Sequence, residues 1–136
     1  MMGFVNSKDN KTEELIKEWL MQNSKMYGFN FDVINMSVLE KSGMLASSNI
    51  YMILSDAEIA HLKKIKIHKN RLQWVAGRYA VKNAFRKYMN LKAKSDLGMI
   101  DVLKGADSAP YISQYKSCIA SITHSYPYCV GVVAEK

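Results

Sequence analysis

One predicted helix, residues 71–90, carries the clearest chemical signal in the sequence. Its apolar side chains cover most of the circumference, which predicts a helix in the middle of a domain. Its polar side chains lie in a stripe of two rows at steps of four residues: Arg78, Lys82 and Arg86, then Asn83 and Lys87. Four cations on one edge of a buried helix would suit the charge of phosphate groups. A solvated helix edge is the alternative interpretation of the same stripe.

The net charge of the chain favours an anionic partner without identifying it. Among the 136 residues, 19 are Lys or Arg and 12 are Asp or Glu, which gives a formal charge of +7. Nucleic acid, a phosphorylated cofactor and an acidic protein all satisfy that charge, and so does a solvated basic surface. The basic segment HLKKIKIHKNR, with His61 and His68, could steer an acidic protein partner or simply be hydrated, and we assign its histidines no chemistry.

Length and composition predict one domain in a soluble, cytoplasmic protein. No apolar run approaches the roughly 20 residues that span a bilayer, and the start, MMGFVNSKDNK, lacks the apolar run of a secretory signal. The two cysteines, Cys118 and Cys129, lie in apolar runs without CxxC spacing. We therefore expect buried free thiols rather than a metal site or a disulfide.

The N-terminal third predicts one helix and one strand. Residues 1 to about 10 are polar and are expected to be loose, whereas residues 12–23 place Leu15, Ile16, Trp19 and Leu20 at helical spacing. Around residues 28–36 the pattern changes to alternation, which predicts a strand with Asp32 as its isolated carboxylate. A solvated strand aspartate is the simplest interpretation of that carboxylate from the residues alone.

Three capping signatures predict where further helices begin. Ser37 with Glu40 and Ser55 with Glu58 have the spacing of a capping box, and Asn70 with Gln73 offers a similar start for the long helix. The rest is strand-like, over residues 99–104, 110–113, 118–124 and 128–134. Helices first and strands later predict an α+β domain, with helices packed on an antiparallel sheet.

Three segments in register resemble the holo-acyl-carrier-protein synthase type of 4'-phosphopantetheinyl transferase: GFNFDV, WVAGRYAVKNAFRKY and SITHSYPYCVGVV. Their order and separation also fit that family. The segment IDVLKGADSAPYI matches the hairpin between helix and last strands, and SDAEIAHL resembles the helix start before the long helix. The resemblance covers roughly residues 27–134. It divides the chain into an extension with one amphipathic helix, residues 1–26, and a transferase-like domain, residues 27–136.

The resemblance implies a fold, a reaction and an assembly. The fold is α+β, with one long central helix packed on an antiparallel sheet. The reaction transfers 4'-phosphopantetheine from coenzyme A, with Mg²⁺, to a serine of an apo acyl or peptidyl carrier protein, as in fatty acid biosynthesis. The partners are acyl carrier protein, coenzyme A and a second and third copy of the chain, in a homotrimer whose active sites lie between subunits. No membrane partner is implied.

The resemblance also assigns roles to individual residues. Asp32 falls on the family's metal-binding aspartate, with Asn83 as a second, weak ligand, and hard oxygen ligands suit Mg²⁺. The catalytic residues would be Asp32, Lys87 and His124. The residues that would contact the coenzyme are Arg78, Lys82, Arg86, Lys87, Pro110, Ser121 and His124. Without the motif, His124 would be interpreted as a structural residue at a strand end.

The sequence departs from the family where the chemistry is expected. Asn83 replaces a glutamate that ligates the metal, and an amide oxygen brings no charge and accepts no proton at neutral pH. Asn35 stands where a second acidic side chain is usual. The glycine-rich turn after the helix is replaced by NLKAKSDLG, and a Gly-Lys-Pro turn by Ser108, Ala109 and Pro110.

Two alternatives to an active transferase stay open. A catalytically impaired relative would keep the fold and bind coenzyme A or the carrier protein, because one carboxylate holds a metal weakly. A small basic nucleic-acid-binding module would place aromatic side chains among the cations on an exposed face. Here the aromatic residues fall on the predicted core rows of the long helix, which disfavours that module.

Overall fold

The structure, a computed structural model, describes the backbone of residues 2–91 and 94–136, and the side chains of residues 11–91 and 97–136. The helices and strands in chain order are α1 (Met2–Tyr27), β1 (Phe29–Asn35), α2 (Met36–Lys41), α3 (Asp56–Leu62), α4 (His68–Tyr88), β2 (Val102–Lys104), β3 (Pro110–Ile112), β4 (Cys118–Ser125) and β5 (Tyr128–Glu135). Short 3₁₀ helices occupy Met44–Ala46, Ser48–Met52 and Lys94–Met99. The predicted α+β class is confirmed.

The main sheet has three antiparallel strands in the order β1-β5-β4, so the last strand of the chain is the central one. In its register Phe31 pairs with Val132 and Asp32 pairs with Gly131. The short strands β2 and β3 form a separate antiparallel hairpin. The predicted strand over residues 99–104 is shorter in the structure, because Met99 ends a 3₁₀ helix and β2 begins at Val102.

Helix α4 crosses one face of the main sheet at very short range. A Cβ atom built on Gly131 would lie 2.5 Å from the carbonyl carbon of Ala80 and 2.5 Å from the amide nitrogen of Val81. Only glycine therefore permits the observed approach of β5 to the backbone of α4. Buried residues of the helix such as Val75 and Val81, both without exposed surface, form the centre of the two larger core clusters.

Helix α1 packs on the opposite face of the sheet. Leu20, which is buried, and Ile16 contact the side chains that β1 and β5 direct away from α4, among them Phe31, Val33 and Val132. The predicted amphipathic helix is confirmed, but it is longer than residues 12–23 and begins at Met2, so the expected loose segment is helical from that residue. Leu15 and Trp19, also predicted on its apolar face, are more than half exposed.

The N-cap of helix α2 lies two residues before the predicted cap, Ser37. Asn35 is the N-cap, and its side-chain oxygen accepts a hydrogen bond of 3.1 Å from the amide of Val38. Because asparagine caps as well as serine and ends the strand directly, the box predicted from Ser37 and Glu40 does not form. The Glu40 carboxylate lies 2.6 Å from Nε2 of His68 instead.

Of the two remaining predicted helix starts, the start of α3 is confirmed and the start of α4 is not. The capping box of Ser55 and Glu58 is confirmed at the start of α3. The start predicted at Asn70 is wrong, because α4 begins at His68 after the uncapped Ile67. The guanidinium of Arg71 donates to the carbonyls of Leu62 and Ile65, 2.8 and 3.1 Å away, and so fixes the connection that allows the earlier start.

Both cysteines are buried free thiols, as predicted. Burial raises the pKa of the Cys129 thiol to about 11, and it also raises the pKa of Cys118. Neither thiol is therefore poised as a nucleophile at neutral pH. Within the described residues, no helix has the length and apolar character needed to cross a membrane.

The close approach at Gly131 predicts a specific stability defect. Gly131→Ala should lower the free energy of unfolding by about 3 kcal/mol, because the added methyl group meets rigid backbone. Gly77→Ala is the matched control, since its Cβ would meet only the side chain of Ile122, at 3.1 Å. That control should stay within about 1 kcal/mol of wild type. Urea denaturation measures both, and equal stabilities for the two variants would contradict the proposed packing.

Candidate functional site

The polar residues of α4 face two different sides of the subunit. Arg78 and Lys87 are nine positions apart, and at about 100° per residue their side chains leave the helix in roughly opposite directions. Lys87 reaches strand β1, whereas Arg78 lines a pocket bounded by α3 and the β2–β3 hairpin. The prediction of one continuous cationic stripe is therefore wrong, because the spacing spreads the residues over about half the circumference.

The first side holds a cluster of Asp32, Asn83 and Lys87, which we call the aspartate cluster. The Asn83 side-chain amide donates to Oδ2 of Asp32 at 2.9 Å. Nζ of Lys87 donates to the carbonyl of Phe31 at 2.9 Å and lies 3.4 Å from Oδ1 of Asp32. Half of the Lys87 side chain and a fifth of the Asp32 side chain are exposed, so the cluster is open to solvent.

The sheet register explains why these three residues meet. Asp32 points toward α4 because it alternates with the outward-facing Phe31 and Val33. Its partner in β5 is Gly131, where the missing Cβ lets α4 approach the sheet. Asn83 and Lys87, one helical turn apart, then both reach the Asp32 carboxylate.

Asn83 leaves one buried acceptor unused. Only 7% of the residue is exposed, and its Oδ1 atom has no hydrogen-bond partner among the described residues. An unsatisfied buried amide oxygen costs stability unless a cation or donor completes it. It is thus a polar atom of the aspartate cluster whose hydrogen-bonding capacity is unused.

The second side of α4 forms the wall of a cavity of about 780 Å³, which we call the anion pocket. Arg78, Lys64 and Lys104 bring positive charge to it from α4, from the end of α3 and from β2. Pro110 and His124, predicted to contact the coenzyme, lie in its wall. A cavity of this size with convergent cations is suited to a nucleotide-sized anion.

A stack of three side chains shapes the pocket wall around Arg78. The guanidinium carbon lies 4.3 Å from the ring centroid of Trp74, and the His61 ring stacks on Trp74 with centroids 5.1 Å apart. Burial lowers the pKa of the Arg78 guanidinium, and the charge of Glu58 opposes that effect. Its Nε atom is buried without a partner among the described residues, so Arg78 has a donor to offer an anion.

Lys82 lies beneath the pocket and is fully buried. Its ammonium donates to the Glu58 carboxylate, to the Ile53 carbonyl at 2.7 Å and to the Leu97 carbonyl at 3.0 Å. Burial lowers the pKa of Lys82, and Glu58 beside it raises the pKa in part. The structure thus corrects the prediction that Lys82 lies on an exposed edge and faces a phosphate, because all three ammonium hydrogens have protein partners.

Comparisons with known proteins agree on one family. Holo-[acyl-carrier-protein] synthase of Bacillus velezensis is 28% identical over 118 residues, which are 82% of this chain and 97% of that protein. A crystal structure of holo-(acyl-carrier-protein) synthase from Bacillus anthracis, in complex with CoA (3',5'-ADP), superposes with a TM-score of 0.67 at 26% identity, covering 79% of this chain and 94% of that one. The chain is thus similar in sequence and in fold to holo-acyl-carrier-protein synthases.

More distant structures show the same fold. The Helicobacter pylori holo-[acyl-carrier-protein] synthase in complex with coenzyme A has a TM-score of 0.63 at 22% identity, with 79% of this chain and 99% of that chain covered. No protein-family model matches the sequence. The Bacillus velezensis and Bacillus anthracis proteins leave about a fifth of this chain unmatched.

Other predicted site residues lie outside both groups. Ser121 and His124 are three positions apart in β4, so their side chains leave opposite faces of the sheet, and Ser121 does not line the pocket. Arg86 is half-buried and lines neither group. Asn35, predicted near a metal, caps α2. Within the segment NLKAKSDLG, residues 92 and 93 lie outside the described part of the chain.

Sequence reasoning missed several residues of the anion pocket. Glu58 was assigned only to a capping box, although it is 2% exposed and binds Lys82. Lys104 and His61 were given no role, and Lys64 was considered only as part of the basic segment HLKKIKIHKNR. The one available signal was Glu58 itself, a carboxylate that directly precedes the apolar Ile59 and belongs to the same helix face as Leu62.

Proposed function

We propose that this protein transfers 4'-phosphopantetheine from coenzyme A to a serine of an apo acyl or peptidyl carrier protein. The proposal is carried by one observation: α4 presents an anion pocket on one side and a carboxylate–amide–ammonium cluster on the other. The reaction needs both a site for a dense anion and groups that manage charge at the pyrophosphate. We assign the reaction to the cytoplasm and to fatty acid biosynthesis.

The anion pocket is proposed to bind the nucleotide end of coenzyme A. Arg78 offers its free Nε donor, and Lys64 and Lys104 add charge for the phosphates. His124, at the end of β4 and exposed, would donate to a phosphate oxygen from the pocket wall. The bound CoA (3',5'-ADP) of the Bacillus anthracis structure supports a nucleotide ligand for this fold.

The aspartate cluster is proposed to hold the pyrophosphate at the reacting end. In the transfer, the serine oxygen forms a bond to the phosphorus that carries pantetheine, and the bond from that phosphorus to the 3',5'-ADP leaving group breaks. Lys87 can stabilise the charge that develops on the leaving phosphate, since its ammonium is half exposed. Asp32 is the one group of the three that can accept the serine proton.

A complete site requires a second copy of the chain. Arg78 and Lys87 lie on opposite sides of α4, so one coenzyme cannot contact both in a single subunit. Head-to-tail contact would place the anion pocket of one copy against the aspartate cluster of the next, and such contacts form a ring when the rotation between neighbours closes. We therefore propose a homotrimer with sites shared between neighbours, as the family resemblance implies.

Mg²⁺ fits the aspartate cluster only as a weakly held, substrate-assisted ion. Two oxygen ligands are on offer, a carboxylate of Asp32 and the unsatisfied Oδ1 of Asn83. Within the described residues, no group of three His, Cys, Asp or Glu side chains could hold a metal. When bound, Mg²⁺ would neutralise pyrophosphate oxygens, and these would supply most of its remaining ligands.

A catalytically impaired relative is the second candidate, and Lys87 favours it. The cluster has one carboxylate, and the ammonium 3.4 Å from that carboxylate cancels its charge. Such a site attracts a divalent ion poorly, whereas the anion pocket is unaffected. The impaired relative would bind coenzyme A without transferring its phosphopantetheine.

Incubation with coenzyme A, Mg²⁺ and an apo carrier protein tests the proposal. We expect a phosphopantetheine adduct on the carrier serine, measured by mass spectrometry. Asp32→Ala should reduce the rate at least about 100-fold, because the variant loses both the proton acceptor and the charged metal ligand. Coenzyme A binding without an adduct would show that the protein is a catalytically impaired relative. Transfer by Asp32→Ala at the wild-type rate would show that Asp32 is not needed for the reaction.

Asn83→Glu should tighten metal binding. A second carboxylate beside Asp32 restores a charged oxygen ligand, so we expect Mn²⁺, used as a paramagnetic probe for Mg²⁺, to bind about tenfold or more tightly. Electron paramagnetic resonance in the presence of coenzyme A measures the free ion. Asn83→Gln is the matched neutral control and should not tighten binding. Equal Mn²⁺ affinity in wild type and Asn83→Glu would show that residue 83 is not a ligand of the metal.

A further inference from the structure

The Glu58–Lys82 pair is buried and hydrogen-bonded on both sides, and the proposed reaction does not use it. Only 1% of the Glu58 side chain is exposed, and the Lys82 side chain has no exposed surface. Oε1 of Glu58 accepts from the amide of Ser55 at 2.8 Å and from Lys82, and Oε2 accepts from the amide of Val102 at 2.9 Å. Both oxygens of this carboxylate therefore have protein partners.

The partners of Glu58 belong to the three walls of the anion pocket. Ser55 caps α3, which carries His61 and leads to Lys64. Lys82 belongs to α4, which carries Trp74 and Arg78. Val102 begins β2, whose hairpin with β3 carries Lys104 and Pro110.

Lys82 extends this connection to the backbone on either side. Its bonds to the carbonyls of Ile53 and Leu97 join the segment before α3 to the 3₁₀ helix before β2. A buried ion pair gains little stability over a well-packed apolar pair of the same volume. What the pair supplies here is a fixed geometry, since five hydrogen bonds converge on two side chains.

We infer that Glu58, through Lys82 and Val102, is the positioning residue of the anion pocket: it fixes α3, α4 and the β2–β3 hairpin so that Arg78, Lys64 and Lys104 converge on one anion. Glu58 acts through its neighbours and does not touch the coenzyme. That the anion is a nucleotide rests on the proposed function. The positioning role of Glu58 does not depend on that function.

The test compares nucleotide binding in variants of matched stability. Calorimetry with adenosine 3',5'-bisphosphate should give a Kd raised about tenfold in Glu58→Gln, at a temperature where that variant is folded. Leu20→Ala, in the cluster between α1 and the sheet, is the control. We expect a comparable loss of Tm and a Kd within about twofold of wild type. An equal rise in the Kd for the bisphosphate in both variants would overturn the inference.

A double variant covers the case in which Glu58→Gln does not fold. Glu58→Gln with Lys82→Met leaves no unpaired buried charge, so it should fold with a Tm above that of either single variant. Its Kd for the bisphosphate should still be raised at least about fivefold, because the three walls have lost their common partner. Wild-type affinity in the double variant would show that the pair does not position the pocket.

Amide hydrogen exchange separates this inference from the proposed function. Exchange of β2–β3 hairpin amides other than Val102 should be faster in Glu58→Gln than in Leu20→Ala. If wild type fails to bind the bisphosphate, the nucleotide proposal is lost and hairpin exchange alone decides the role of Glu58. Hairpin exchange that is no faster in Glu58→Gln than in Leu20→Ala would overturn it.

Discussion

The short distance between α4 and the central strand β5 is the constraint on which the other features depend. Because Gly131 has no side chain, the backbone of α4 at Ala80 and Val81 lies directly on the sheet. This places Asn83 and Lys87 within reach of Asp32 on one side. On the other side it leaves Arg78 over the cavity closed by α3 and the β2–β3 hairpin. The helix is therefore both the core of the domain and the partition between two polar surfaces.

The same partition explains why neighbouring residues of one motif have unrelated environments. Lys82 and Asn83 are adjacent in sequence, yet Lys82 is enclosed with Glu58 and Asn83 touches the solvent-open Asp32. A basic residue in such a motif need not contact the substrate, because a buried charge can instead hold neighbouring segments in place through its hydrogen bonds. The cations that line the anion pocket are Arg78, Lys64 and Lys104, whereas Lys87 lies beside Asp32 near β1.

The fold followed from local signals, and the site followed only in part. Alternation predicted β1, a strand-like run predicted β5, and the apolar rows predicted α4, because the pattern of buried side chains on a strand or helix depends on residues close together in the sequence. The aspartate cluster was anticipated through the family resemblance. The two-sided distribution of cations was not, since it depends on which face of α4 meets the sheet. The burial of Lys82 depends on Glu58, 24 positions earlier, and no local pattern encodes that distance.

The central claim is that one active site needs the anion pocket of one copy and the aspartate cluster of another. Mixing two inactive variants tests it most directly. Asp32→Ala and Arg78→Ala, each alone, should transfer little phosphopantetheine, whereas co-refolded mixtures should recover activity at contacts that unite both intact halves. Native mass spectrometry with differently tagged chains would confirm that mixed assemblies form. Recovered transfer is the predicted result, and inactive mixed assemblies would contradict a shared site.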